Sequence, residues 1–208
     1  MWEFEQTAKK DGYQIIAGVD EAGRGPLAGP VVSAAVVFSQ GFAKTAAASP
    51  VLSSINDSKK LTEKKRLALF PLIRHEAVAV GIGIADHLEI DTINILQASL
   101  LSMKRAVADL SVIPDYLLID GKFTIDSPVA QQALVKGDSR SFSIAAASII
   151  AKVTRARLMA DLDRQFPQHQ FARHKGYPTK AHKQAILEFG PSSVHRRTFK
   201  GVKEVIGD

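Results

Sequence analysis

Acidic residues follow two short apolar runs in this sequence. Asp20 and Glu21 come directly after Ile15-Ile16-Ala17-Gly18-Val19, and Asp120 comes directly after Tyr116-Leu117-Leu118-Ile119. A fourth acid, Asp138, stands in Lys136-Gly137-Asp138-Ser139. Each apolar run has the length and branched content of a buried strand. If the two strands are parallel neighbours, their acids leave the sheet at one edge, where open α/β sheets place their ligands. Clustered carboxylates repel one another unless they are protonated or bound to a cation. Hard oxygen ligands favour Mg2+ or Mn2+, which keep several waters and complete their shells with phosphate oxygens. Two such ions about 4 Å apart suit an in-line displacement at phosphorus. A plainer reading stands beside this one, since Asp120-Gly121 has turn chemistry and Asp20-Glu21 alone reads equally as a solvated pair.

Basic and glycine-rich segments follow the acids. Gly23, Arg24 and Gly25 let backbone amides approach a phosphate or sugar closely, with a guanidinium alongside; as an isolated string they are also a plain loop. Asn56, Ser58 and Lys59, in Asn56-Asp57-Ser58-Lys59-Lys60, and Lys175 and Tyr177, in His174-Lys175-Gly176-Tyr177-Pro178, suit backbone tracking and stacking on a base or sugar. Their structural alternatives are a helix-leading cap and a turn with a half-buried tyrosine. The Arg196-Arg197 tail is read as a solvated basic end.

These residues need elements to hold them. A strand, a glycine-rich loop and a second strand from Val31 to Phe38 open the chain. Thr62 caps a helix through Glu63 to Glu76, and Ala77 to Ile84 forms a third strand. Asp86 with Glu89 has the form of a capping box, after which Ile93, Leu96, Leu100, Met103 and Val107 mark one apolar face of a long helix that Pro114 stops. The Tyr116 strand and a short strand ending at Val135 follow. A small-faced, buried helix begins at Ser143, and a shorter helix runs from Thr179 to Gly190-Pro191. The pattern predicts an α/β fold with a mixed central sheet flanked by helices and a small helical C-terminal part.

The 208 residues fit a single domain, with an α/β core over about 14–165 and a helical C-terminal part over about 166–208. The absence of cysteine excludes disulfides, thiolate metal sites and cysteine nucleophiles. A net charge of +6 favours a polyanionic partner. No apolar stretch is long enough to span a bilayer and the first residues lack a secretory pattern, so the expectation is a cytoplasmic protein without membrane contact, acting as a monomer.

Taken together, the segments resemble ribonuclease HII, the type 2 ribonuclease H of bacteria. Gly18 to Pro26, Asn56 to Leu61, Leu118 to Gly121, Lys136 to Ser139, Ser143 to Val153 and His174 to Thr179 match its signatures in the family's order, and the similarity runs from about Ala17 to Phe199. The resemblance implies a ribonuclease H-like fold and a catalytic, metal-holding set of Asp20, Glu21, Asp120 and Asp138, with divalent Mn2+ or Mg2+ as cofactor. It implies that Gly23-Arg24-Gly25 recognises the ribonucleotide, that Tyr177 packs on the sugar at the RNA-to-DNA junction, and that Lys59 and its neighbours hold phosphate. The implied partners are RNA/DNA hybrid and DNA containing ribonucleotides, and the implied roles are in replication and repair. The expected incision falls 5′ to the ribonucleotide and leaves 5′-phosphate and 3′-hydroxyl ends, the 2′-hydroxyl being read and not used. A non-catalytic hybrid-binding module is the alternative. Two departures from the family pattern are Ala156, where an aspartate is usual, and His169-Gln170, where an aromatic-glycine pair is common.

Overall fold

Five segments pair into one sheet. The computed structural model describes residues 1–55 and 61–207. Helix α1 (Glu3–Lys10) comes first, then strands β1 (Ile16–Ala22) and β2 (Val31–Val37), helices α2 (Phe42–Ala48) and α3 (Glu63–Glu76), strand β3 (Ala79–Ala85), helix α4 (His87–Ala108), and strands β4 (Tyr116–Asp120) and β5 (Ala130–Leu134). Helices α5 (Phe142–Gln165), α6 (Phe171–His174), α7 (Lys180–Phe189) and α8 (Lys203–Ile206) complete the chain. The five strands lie in the order β3-β2-β1-β4-β5. β1 pairs antiparallel with β2 and parallel with β4, while β2 pairs antiparallel with β3 and β4 parallel with β5, so the sheet is mixed.

Every residue of β2 is buried, because helices cover both faces of the sheet. Its side chains alternate as the period of a strand requires. Ala34 and Val36 join the cluster containing Ala146, Ile149 and Ile150 of α5, and Ala35 and Val37 join the cluster containing Met103 and Ala106 of α4. Helix α5 lies close against β1 because its facing residues are small. A Cβ on Gly18 would fall 2.2 Å from the Ser143 carbonyl carbon, so only glycine permits this approach. Ser141 caps α5, its Oγ accepting from the Ile144 amide at 3.3 Å, so the helix begins ahead of the expected start at Ser143.

The expected caps are present. Thr62 Oγ1 accepts from Lys65 N–H at 3.3 Å, and Asp86 with Glu89 forms a reciprocal capping box. Two expectations are corrected. Helix α4 is not continuous: Asn94 has φ +67°, and its Oδ1 accepts from the amides of Leu96 and Gln97 at 3.0 and 3.2 Å, so one side chain breaks the helix and recaps it. The helix also ends at Ala108, before Pro114. Ahead of the first strand, the N-terminal stretch that carried no sequence assignment forms helix α1. Trp2 stacks on Phe142 with centroids 4.4 Å apart, and the buried Glu5 accepts from Ser141 Oγ at 2.7 Å and from the Ser143 amide at 3.0 Å.

The segment after α5 packs on the loop between β1 and β2. Phe171 and Met159 bury Ala28, while Ile186 and Val202 bury Leu27. Ala28 also bridges to His195. Among the described residues, no helix is long and apolar enough to cross a membrane.

Candidate active site

The parallel pairing of β1 with β4 brings the acids together. Val19 lies opposite Ile119 in the register, so Asp20 and Asp120 follow at the same end of adjacent strands. The correction here is small: β1 continues through Asp20 and Glu21 to Ala22, so these two acids belong to the strand and not to the loop after it. Asp20 shares the face of Gly18 and looks toward α5, where Ser148 and Lys152 favour its ionised form. One carboxylate oxygen each from Asp20, Glu21 and Asp120 lies within 4.8 Å of the others. Asp138 sits beside this set on the 3₁₀ turn Gly137–Ser139, although its carboxylate falls outside the 4.8 Å grouping. The turn is tied to the set by the Gly137 amide, which donates to Asp120 Oδ1 at 2.6 Å.

Electrostatics at this edge favour a cation. Burial pushes the Asp20 carboxyl well above its ordinary range, and the charges of Glu21 and Asp120 push it further. Burial likewise raises Glu21, against the lowering effect of Arg24. Glu21 Oε2 is buried with no hydrogen-bond partner among the described residues, while its Oε1 meets Arg24 at a long 3.4 Å. An oxygen-only donor set with mutual repulsion and an unmet buried oxygen fits a hard divalent ion, and Asp20, Glu21 and Asp120 would hold it, with Asp138 adjacent. A pocket of about 210 Å³ opens over the three acids, bordered by Gly23, Arg24, Gly25, Lys152 and Tyr177. A second, of about 230 Å³, continues past Arg66, Lys175 and Ala156.

The glycine loop is shaped from behind by two buried arginines that the sequence reading missed. Arg196 is fully buried, against the expectation of a solvated basic tail. Its guanidinium donates to the carbonyls of Gly23 at 2.6 Å, Arg24 at 3.0 Å and Gly29 at 2.9 Å. Arg155 donates to the carbonyls of Pro30 at 2.8 Å, Ala28 at 3.1 Å and Lys175 at 2.9 Å. Burial lowers the two guanidinium pKa values to about 10 for Arg155 and about 9 for Arg196, so both are cationic at neutral pH. Each spends its donors on carbonyls, aiming the loop's backbone toward the pocket. Gly23 has φ +100°, and a Cβ there would lie 2.1 Å from Arg155 Nε. A usable signal for Arg155 was its position four residues after Ala151 and eight after Ala147, on the buried stripe of α5.

Tyr177 is 47% exposed beside Gly25, whose Cβ position lies 3.7 Å from Tyr177 Cε1. Lys175 is half-buried, with Nζ donating to the Ala172 carbonyl at 2.6 Å and standing 3.7 Å from Glu63. Arg24 extends into solvent. Asn56, Ser58 and Lys59 lie outside the described residues.

Residues 17–202 match the family model described as Ribonuclease HII. The chain is 55% identical over 208 residues to the Ribonuclease HII of Geobacter sulfurreducens, covering all of this chain and 92% of that protein. It is 52% identical over 206 residues to that of Bacillus pumilus, covering 99% and 78% of the two chains. Its fold is similar to the crystal structure of ribonuclease H2 from Pyrococcus horikoshii, with TM-score 0.74 and 25% identity over 92% of this chain and 96% of the other.

Proposed function

Because this chain belongs to the ribonuclease HII family, we propose that Asp20, Glu21, Asp120 and Asp138 form the catalytic centre with which it cuts. The chain is a metal-dependent endoribonuclease that hydrolyses the RNA strand of RNA/DNA hybrids. The observation that carries the site assignment is the convergence of Asp20, Glu21 and Asp120 within 4.8 Å, at one end of two parallel strands and below the Gly23-Arg24-Gly25 loop. When bound, Mg2+ or Mn2+ supplies Lewis-acid charge at phosphorus and an activated water.

The chain's own residues then divide the remaining work. Asp20 and Glu21 present paired carboxylate oxygens, and Lys152 and Ser148 beside Asp20 favour its charged form against the stronger opposing effect of burial, which a bound cation would offset. Gly23-Arg24-Gly25 turns backbone amides and the Arg24 guanidinium toward the sugar, and the Tyr177 ring packs on the ribose at the junction. Reading the 2′-hydroxyl there selects a single ribonucleotide in DNA, and cleavage on its 5′ side leaves 5′-phosphate and 3′-hydroxyl ends. Lys175 holds backbone phosphate, as do Asn56, Ser58 and Lys59. Arg155 and Arg196 act as positioning residues behind the loop. We place the boundary between the α/β core and the C-terminal substrate-binding part at about residue 166, where α5 gives way to the segment carrying Tyr177. Hybrid and ribonucleotide-bearing DNA are intracellular substrates, so the protein acts in the cytoplasm, and one chain holds all the site residues, so it acts as a monomer.

An end-labelled DNA duplex with one ribonucleotide, incubated with Mg2+, Mn2+ or chelator, tests this reading. Metal-dependent incision 5′ to the ribonucleotide, lost in Asp138→Asn, is expected. A 2′,3′-cyclic phosphate product would overturn it, because that product requires attack by the 2′-hydroxyl. Tight binding without cutting under either metal would make the protein a hybrid-binding module.

A further inference from the structure

A second cluster of metal-ligating side chains lies away from the carboxylates. His169 ends a 3₁₀ turn, His182 stands in the first turn of α7, and His195 precedes the C-terminal arginines; all three are at most 1% exposed. One ring nitrogen from each lies within 4.8 Å of the others. We infer that His169, His182 and His195 form a nitrogen-donor site for a zinc-class transition ion, beneath the loop that carries Tyr177.

The hydrogen bonds define the tautomers. His182 Nδ1 lies 3.0 Å from the Tyr177 carbonyl and must carry a proton to donate to it. The Ser192 amide donates to His195 Nδ1 at 2.9 Å, which leaves that nitrogen bare and puts the His195 proton on Nε2. His195 Nε2 faces His182 Nε2 at 3.0 Å, so a single proton fills the gap between the rings. His169 Nδ1 is buried with no hydrogen-bond partner among the described residues, a penalty that a bound cation removes.

The donor chemistry selects the ion. Three imidazoles suit Zn2+, Co2+, Ni2+ or Cu2+ and are poor ligands for Mg2+, which prefers oxygen. Zinc–nitrogen bonds of about 2.0–2.1 Å in tetrahedral geometry bring ligand atoms to about 3.3 Å from one another, so the His182–His195 pair is already close and His169 moves inward. The ion takes the place of the proton between the two Nε2 atoms. That proton leaves to solvent while His195 takes one from solvent on Nδ1, which stops accepting from the Ser192 amide and donates to Ser192 Oγ at 2.8 Å, so the ring stays neutral and the proton count balances. The bond from His182 Nδ1 to the Tyr177 carbonyl is the outer contact that orients a metal-bound histidine, and it ties the ion to the tyrosine loop. Phe171 walls the cluster at 5.4 to 5.6 Å from the three rings, and His174 stacks on His182 at 4.3 Å.

The test adds Co2+ to the full-length protein with excess Mg2+ present to occupy the carboxylates. One equivalent should produce the intense visible bands of four-coordinate cobalt, Zn2+ should bleach them, and Zn2+ should raise the melting temperature. His169→Phe should lose bands and shift together while retaining hybrid cleavage. A zinc-edge absorption spectrum of the unaltered protein gives a readout independent of any variant, with imidazole scattering expected. An oxygen-only shell, an absence of visible bands, or bands that survive in His169→Phe would each overturn the site.

Discussion

Arg196 donates through Nη2 to the carbonyl of Gly23 at 2.6 Å, across 173 positions of sequence. The guanidinium therefore works as a template for the recognition loop. A lysine ammonium has three N–H donors but on a single atom, so it does not span the carbonyls that Nε, Nη1 and Nη2 reach separately, and each one left unmet costs about 1–3 kcal/mol. Arg196→Lys is expected to lower stability in urea by about 2–4 kcal/mol. It should also raise KM on a duplex with one ribonucleotide more than on a continuous hybrid. Equal kinetic losses on both substrates would remove the loop-template role.

Asp20 carries a cost in the metal-free protein. Because its folded pKa is raised, the native state binds protons that the unfolded chain has released, so this contribution to stability is full below the ordinary 3.8 and falls as pH rises through the raised value. At pH 7 in chelator, Asp20→Asn should melt at a higher temperature than the unaltered chain, yet cleave at background rate. Divalent metal should stabilise the unaltered protein, by about 2.7 kcal/mol at a concentration 100 times its dissociation constant, and the Asp20→Asn variant much less. Calorimetry with and without Mn2+ reads both effects.

Gly18 sets the distance between β1 and α5. A methyl group there meets the Ser143 carbonyl carbon at 2.2 Å, so Gly18→Ala must push backbone from backbone. Overpacking of this kind costs about 1–3 kcal/mol and occasionally more. The displaced helix carries Ser148 and Lys152 away from Asp20, so the Mg2+ requirement for cleavage should rise beyond what lost stability explains. Metal titrations at a temperature where the variant is fully folded would separate the two.

The histidine cluster predicts acid sensitivity confined to the C-terminal part. Burial lowers His182 to about 4 and His195 to about 3, so both are neutral when folded and take up protons near the ordinary 6.5 when unfolded. Their contribution is full above about pH 6.5 and is lost as pH falls toward the folded values. In chelator at pH 5, amides of α7 should lose hydrogen-exchange protection while those of β1 and β2 keep theirs. Uniform loss across sheet and helices would contradict this.

Local chemistry was easy to read from the chain. Thr62, the Asp86–Glu89 box and the branched runs of β1, β2 and β4 act through neighbours a few positions away, and the structure has them as expected. The meeting of Asp20 with Asp120 also followed, once a parallel pairing was assumed. What escaped depends on distant partners. Nothing near Arg196 in sequence indicates that three carbonyls between residues 23 and 29 will take it out of solvent. The break at Asn94 was hidden because the apolar spacing continues on both sides of it, and only the side-chain capture of two amides reveals the new helix start. The docking of α1 rests on Glu5 meeting Ser141 and Ser143, again a long-range match.

The long span between Gly23 and Arg196 also orders events during synthesis. A ribosome that has made β1 and β2 has added Asp20 and Glu21, but Asp120 follows only with β4, and the guanidinium that backs the recognition loop follows Gly23 by 173 residues. Prematurely terminated products therefore carry acids without their template. Synthesis has to pass Arg196 before the recognition loop gains its backing.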